Sequence, residues 1–569
     1  MLLEAARDWL WFGGTMLLGG AALAPRRGFT DGLEAWIAGV GFAVGLAAGG
    51  MFVIHAGGLD RSWVAALWLA WPVLPWFRRA RLRELAADPA VRDALGAWAL
   101  WCLGALALLA LVRSFSGGAW MGDWEEHYQR PLLLLGLRAE DEEFRRLFTF
   151  TARPPVANLA EAALLWPWGG AFARHQWLLL LLNSLALFPV ALWARTTGAG
   201  RVAAPGAALL LLLNPFFLQN STYPWTKLIA AFYVLAALHL LFTGPPGRPR
   251  LCAGAALLAL GGLTHYSSLV WAGPVALAWL WWRWRTPPRP ATGDALRAAG
   301  IFAGLNALWF GWAVARYGLV ETLSSNTSAK MGRLFTWQEH LAGVWWKLWN
   351  TLVPHPLRSF DRSILDQANP WTWFRDQVFY VYQSNLFFAL GGGGLVFALW
   401  WCGQHRAAGE AALRRAWLAL IGAMLVAGTA VHGHVDEWGL AHICLSPLIL
   451  LGLAVAVAAL AHWRERPWVG VLAAAGLLVD LVLGVALHFA ATAHQLGRAA
   501  GQDLLAYIAG LGATARHNFW QQMRLGQENF AERLDWPWLL AAAVYLGALA
   551  LLAVRGHRAA RPAAPPGAQ

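Results

Sequence analysis

Charge is scarce in this sequence. Only 13% of its 569 residues are Asp, Glu, Lys or Arg, against 58% hydrophobic residues and a mean hydropathy of +0.46. A soluble protein of this size could not solvate such a surface, which excludes the soluble classes. Cysteine is almost missing. Cys102, Cys252, Cys402 and Cys444 lie in or beside apolar runs, none at metal-ligand spacing, so neither a disulfide framework nor a cysteine-based metal site is expected. The period-2 alternation of a membrane barrel is absent as well. The apolar runs are roughly 16–24 residues long, which leaves helices as the way to satisfy the backbone inside lipid. No soluble domain, coiled coil or repeat period is present. Acid is scarcer than base, 31 residues against 44, for a net charge of +13. In a soluble chain that excess would suggest nucleic acid. Here the basic residues sit in short loops between apolar runs, so topology accounts for them and no nucleic-acid partner is expected.

What is present in quantity is apolar helix and tryptophan, 38 residues of it. Trp favours the membrane interface, where its ring is buried and its N–H stays wet. The expected fold is an all-α polytopic membrane protein, one integral domain over residues 1–569 with about 13–15 transmembrane helices. The first run, with Glu4 and Asp8 before it and Arg26-Arg27 after it, has the wrong charge order for a signal peptide and reads as an uncleaved span. Eight arginine-bearing segments, from Arg26-Arg27 to the tail after Arg555, fall on one side, which the positive-inside rule makes cytoplasmic. The long mixed loops 114–174, 317–383 and 493–535 then face outward, while the Pro/Ala/Arg-rich tail 556–569 reads as a disordered cytoplasmic end. Pro131 to Leu137, Leu147 to Trp166 and Trp337 to Leu352 read as amphipathic helices lying on the membrane.

The polar clusters concentrate on the predicted outer face. Gly122-Asp123-Trp124-Glu125-Glu126-His127-Tyr128-Gln129-Arg130 holds three carboxylates, a His, a Tyr and an Arg just past an apolar run. A carboxylate placed there can take the proton of an acceptor hydroxyl as its oxygen attacks a sugar carbon. A second can position the acceptor or hold a divalent cation. Asp123 and Glu126 share a face if the segment is helical. The bland alternative is a solvated acidic loop. Further on, the two prolines of Thr151-Ala152-Arg153-Pro154-Pro155 fix an extended approach to the next helix and hold Arg153 at the surface. In Asn214-Pro215-Phe216 through Tyr223-Pro224-Trp225-Thr226-Lys227, Lys227 opens a helix on the side where Lys is scarce. There it can meet a lipid-linked phosphate and stabilise its charge as it departs, or simply snorkel. Thr264-His265-Tyr266-Ser267 interrupts an apolar hairpin. His432-Gly433-His434-Val435-Asp436-Glu437 offers ligand-type residues without HExxH or comparable spacing, so it reads as a site wall or a loop, and no metal site is assigned. Asp480 sits alone in an apolar run, where a carboxylate needs a partner or a water cavity. The run Gly391 to Gly394 marks either a hinge or close helix packing.

The order of these motifs resembles the GT-C superfamily of integral-membrane glycosyltransferases, among them protein O-mannosyltransferases and aminoarabinose transferases of lipid A. The resemblance spans roughly residues 97–285, while the C-terminal half matches in layout only. It implies a polyprenyl-phosphate-linked sugar donor, inversion at the sugar carbon, and an active site on the outer face of a bacterial-type inner or plasma membrane. The acceptor is a lipid, protein or glycan, and membrane lipids are the surroundings. The family's catalytic acid belongs to an adjacent Asp-Glu pair. Here the adjacent pair is Glu125-Glu126, with Asp123 two residues earlier, so Asp123, Glu126 and Glu125 are all candidates for the base, in that order. The resemblance gives Arg153 and Lys227 the donor phosphate. His127, Tyr128, Tyr223, His265, Tyr266, His434, Asp436 and Glu437 are candidates to line the substrate site. No cofactor is assigned, and a divalent cation is left open. The alternatives are a multi-pass transporter or lipid flippase, which calls for paired intramembrane charges and broken helices in matching halves, and a non-enzymatic envelope scaffold.

Overall fold

The computed structural model describes residues 2–29, 31–112, 115, 123–245, 247–287, 289–325, 336–354, 370–404, 408–431, 440–493, 530 and 538–560. The described residues form helices and connecting turns, with no strand among them. The protein is an all-α polytopic membrane protein. Among the described residues, eight helical stretches reach the 18 residues and the apolarity needed to cross a bilayer, or nine if one bent pair counts as a single span.

The chain begins with α1 (Leu2–Phe12), α2 (Gly32–Ala56) and α3 (Pro89–Leu109). Their starts are legible in the sequence. The Asp31 carboxylate accepts the Glu34 N–H at 2.8 Å, and Asp88, followed by Pro89 at the first helical position, accepts the Ala90 N–H at 2.8 Å. The first long loop carries short helices, among them α4 (Asp123–Leu134) and α5 (Val156–Leu165). Then come α6 (Phe172–Ser184), α7 (Leu187–Ala194) and α8 (Ala203–Leu213). The stretch Phe172–Leu213 is 42 residues of nearly continuous helix, its most apolar window wholly buried. It cannot be one straight rod, because α7 packs against α8. The reversal lies at Gly198 (φ 105°) and Gly200 (φ 53°), conformations that glycine tolerates without a Cβ clash. The two spans expected here are thus a hairpin in the middle of the bundle.

α9 (Pro215–Thr222) and α10 (Lys227–Phe242) meet at 119°. α11 (Arg248–Gly262) returns along α10, and α12 (Leu269–Arg285) and α13 (Thr292–Tyr317) follow on the outside of the bundle. In α14 (Trp337–Leu352) the apolar residues Leu341, Trp345, Trp346 and Trp349 are exposed while Lys347, Asn350 and Thr351 are buried. That inversion is what a helix lying on lipid with its tryptophans outward requires. α15 (Pro370–Ser384), α16 (Gly392–Gly403), α17 (Ala408–Val431), α18 (Ser446–His462), α19 (Pro467–Val479) and α20 (Trp538–Ala559) complete the described helices used below.

Three expectations differ from the structure in instructive ways. The apolar runs 62–77, 251–266, 267–283 and 384–402, four of the roughly fifteen that the sequence offers as spans, are helices or helix pairs too short to cross by length, which is why fewer stretches do so than expected. The segment Leu147 to Trp166 is not a surface helix over its second half. All ten residues of α5 are buried, packed against α2. Asp480 has its partners after all. Its carboxylate accepts the Gly392 N–H at 3.1 Å, the Gly393 N–H at 3.4 Å and the Tyr382 hydroxyl at 3.3 Å. It caps the start of α16, where unpaired N–H groups and the positive end of the helix favour an anion. The glycine run serves close packing: a Cβ on Gly476 of α19 would lie 2.4 Å from the Gly392 carbonyl carbon. Loop 493–535 and the tail from 561 lie almost entirely outside the described residues.

Candidate active site

The site is built where α4, the 148–156 segment and the α9–α10 bend come together, outside the long spans. The prolines shape two of these pieces. Arg153, which precedes Pro154, is extended (φ −127°, ψ 142°), and Tyr223, which precedes Pro224, is extended (φ −78°, ψ 133°) and ends α9. The backbone opened at the bend is satisfied by one side chain from α6. Asn183 donates its Nδ2 to the Trp225 carbonyl at 2.6 Å and accepts the Ile229 N–H at 3.1 Å. The 148–156 segment is held from both sides. Arg130 of α4 donates to the carbonyls of Phe148, Thr149 and Phe150, the Tyr266 hydroxyl donates to the Thr151 carbonyl at 3.0 Å, and the Val156 N–H donates to the Leu263 carbonyl at 2.9 Å. Arg153 is thereby aimed at α4.

The two leading carboxylates have opposite surroundings. Glu126 is locked between arginines: Arg130 Nη2 reaches its Oε1 at 2.7 Å, and Arg153 Nε reaches its Oε2 at 2.9 Å. Burial works against its charge, but Arg153 and Arg130 outweigh burial and hold the carboxyl down to about 2. Asp123, one helical turn earlier and partly exposed, accepts one side-chain bond among the described residues, a long one from Trp225 Nε1 at 3.3 Å. Burial pushes its carboxyl above the usual range. Arg153 opposes that push, the negative Glu126 reinforces it, and Lys227 opposes it from farther away. Arg153 itself stays firmly charged, since Glu126 and Asp123 more than offset its burial.

Trp225, which sequence reasoning passed over, joins the two halves. Its indole N–H faces Asp123, and its ring lies under the Lys227 ammonium, 3.8 Å from the ring centroid. Tyr223 packs beside it, with ring centroids 4.0 Å apart, and accepts the Trp124 N–H at 3.2 Å. His442 stacks on Trp225 at 5.4 Å. Asp123, Glu126, Arg153, Tyr223 and Lys227 are therefore brought together. His127 is buried behind them with no partner for its Nδ1, and burial and the nearby Arg153 keep its imidazole neutral. Glu125 is buried on another face of α4. Tyr128 turns to the interior, donating to the Gly170 carbonyl at 2.7 Å with its ring against Phe172 and His175. His265 bonds Ser267 at 2.7 Å in its own turn. His434, Asp436 and Glu437 lie outside the described residues.

A second unheralded pair lies beneath α4. Glu161 and His175 are fully buried and hydrogen-bonded to each other, Nδ1 to Oε1. The signal for it was a lone Glu inside an apolar run, followed fourteen residues on by a lone His. Among the described residues no three His, Cys, Asp or Glu side chains gather as metal ligands would.

No family model matches the chain, and no curated protein matches it. Among solved structures, it is similar to ArnT from Cupriavidus metallidurans. The crystal structure of ArnT bound to undecaprenyl phosphate aligns at 13% identity and a TM-score of 0.42, covering 82% of this chain and 77% of that one. The apo structure aligns at 13% identity and 0.40, covering 83% and 76%.

Proposed function

We propose that the protein transfers a sugar from a polyprenyl-phosphate donor to an acceptor hydroxyl, with Asp123 as general base. The observation that carries this reading is the division of labour between Asp123 and Glu126. A base must be accessible, and its proton affinity must not be crushed by cations. Glu126 spends both oxygens on arginines and is too weak a base. Asp123 is partly exposed, has one long side-chain hydrogen bond among the described residues, and has its affinity for a proton raised by burial. In the step, Asp123 takes the acceptor's hydroxyl proton, the acceptor oxygen forms its bond to the sugar C1 from the face opposite the phosphate, and the C1–O bond to phosphate breaks with its electron pair leaving on the phosphate. That geometry inverts the sugar carbon.

The cations fit the leaving group. Lys227, at the start of α10 and held over Trp225, and Arg153, fixed by Glu126, present positive charge near Asp123, where a departing phosphate gains negative charge. Glu126 in this reading is a positioning residue, since it orients Arg153 and balances a buried arginine pair. The GT-C resemblance supports this reading: it implies a carboxylate of this segment as the base, Arg153 and Lys227 at the donor phosphate, and a site on the outer face of the membrane.

The test is direct. Purified protein, incubated with a panel of polyprenyl-phosphate sugars and hydroxyl acceptors, should consume one donor. Asp123→Asn should lower turnover by about 100-fold or more, the scale of a lost general base, with the protein still folded by size-exclusion and thermal unfolding. Full activity in Asp123→Asn would remove Asp123 as the base.

A further inference from the structure

A cleft between α1, α3 and α20 shares no residue with the site above. It encloses about 780 Å³, within the range of about 300–1,000 Å³ typical of ligand pockets. Its walls are apolar, with Trp9, Ala99, Leu103, Leu106, Trp177 and Leu551 among them, and no carboxylate lines it. Small residues make it concave: Ala99 stands one turn from Gly96, and Ala5 and Ala6 line the facing helix. Arg555 and Arg558 of α20 stand at one end. The missing side chain at Gly96 is what lets the Arg555 guanidinium lie there, since a Cβ would come within 2.5 Å of its Nη1. Neither arginine has a hydrogen bond or ion pair among the described residues.

The arginine end is far from the candidate active site. Gly96 lies thirteen residues before Leu109, the end of α3 from which the chain continues to α4, a distance of about 20 Å along the helix. An apolar slot beside the bilayer that ends on two cations with neither a partner nor a lining acid among the described residues has the chemistry of an acyl chain joined to an anionic head. We infer that this cleft binds one anionic diacyl phospholipid of the bilayer, an acyl chain lying between α3 and α20 and the phosphate meeting Arg555 and Arg558. The inference does not rest on the glycosyltransferase reading.

Native mass spectrometry of the full-length protein in neutral detergent tests it, with phosphatidylglycerol and phosphatidylcholine titrated separately. The expected result is one phosphatidylglycerol retained at five-fold or greater occupancy over phosphatidylcholine. Arg555→Gln with Arg558→Gln should bring phosphatidylglycerol down to the phosphatidylcholine level. Removing the same charge elsewhere, with Arg26→Gln and Arg27→Gln, should leave the preference intact. Ala99→Trp or Leu106→Trp, which plug the slot from different positions on α3 while leaving the arginines, should abolish the retained lipid in whichever variant elutes as the wild type does. An unchanged preference in the double arginine variant overturns the assignment. So does displacement of phosphatidylglycerol by an equimolar polyprenyl phosphate that depends on Arg555 and Arg558, which would make the cleft a polyprenyl site instead.

Discussion

Asp123 and Glu126 stand one helical turn apart, and a single residue type, arginine, separates their chemistry. Because the Glu126 carboxyl is held at about 2, below its ordinary 4.5, the folded state binds its proton less readily than the unfolded one. Its stabilisation is complete above the unfolded value and is lost as pH falls through about 2. Glu126→Gln should therefore cost on the order of 3 kcal/mol at neutral pH. The gap between variant and wild type in thermal unfolding should narrow below about pH 4.5. Asp123 has the opposite sign. Its carboxyl is raised, and a base must be ionised to act, so turnover should fall as pH drops through a value above the usual aspartate range. Trp225 offers a sharper probe. Trp225→Phe keeps a ring under Lys227 but removes the N–H that favours the ionised Asp123. Loss of a hydrogen bond to a charged group, here a long one, is worth about 1.5 kcal/mol, roughly ten-fold in the carboxyl's proton affinity. The acid limb of the kcat profile should move to higher pH. A merely structural tryptophan would lower kcat and leave that limb in place.

Among the elements, the α9–α10 bend and the α16–α19 contact show how helices in lipid tolerate irregular backbone. At the bend, Pro224 ends one helix, Asn183 satisfies the opened groups, and the residues released from helical geometry are the ones that face α4. At the α16–α19 contact, glycine meets glycine and Asp480 caps α16. Gly476→Ala should force the two helices apart. Overpacking of this kind costs about 1–3 kcal/mol and should appear as a lowered Tm in detergent, with Asp480→Ala lowering it through loss of the cap. These two elements also show the limit of reading helices locally. Asn-Pro-Phe and Tyr-Pro-Trp-Thr-Lys announce a helix start and a break, because proline acts on its own neighbours. Asp480 looked isolated because its partners, Gly392 and Gly393, are backbone groups nearly ninety residues away.

For the whole molecule, sidedness is the property most open to test. With Cys252 and Cys402 replaced by serine, leaving the buried Cys102 and Cys444, single cysteines at Leu137, beside α4, and at Arg79, in the arginine-rich loop, should react with a membrane-impermeant thiol reagent from opposite faces. Labelling of both from one face would reverse the topology drawn from the positive-inside rule. The all-α membrane class and several helix starts were legible in the sequence by itself: 58% hydrophobic residues leave no soluble alternative, and helix caps, prolines and glycines act over a few residues. The gathering of Asp123, Arg153 and Lys227 as candidates was legible too, since each is an unusual polar residue beside an apolar run. Only the tertiary structure decided that Glu126 is locked between arginines, that Trp225 reaches both Asp123 and Lys227, and that Glu161 has His175. Those outcomes depend on distance and burial between segments far apart in the chain, and a charge's proton affinity is set by what surrounds it in space.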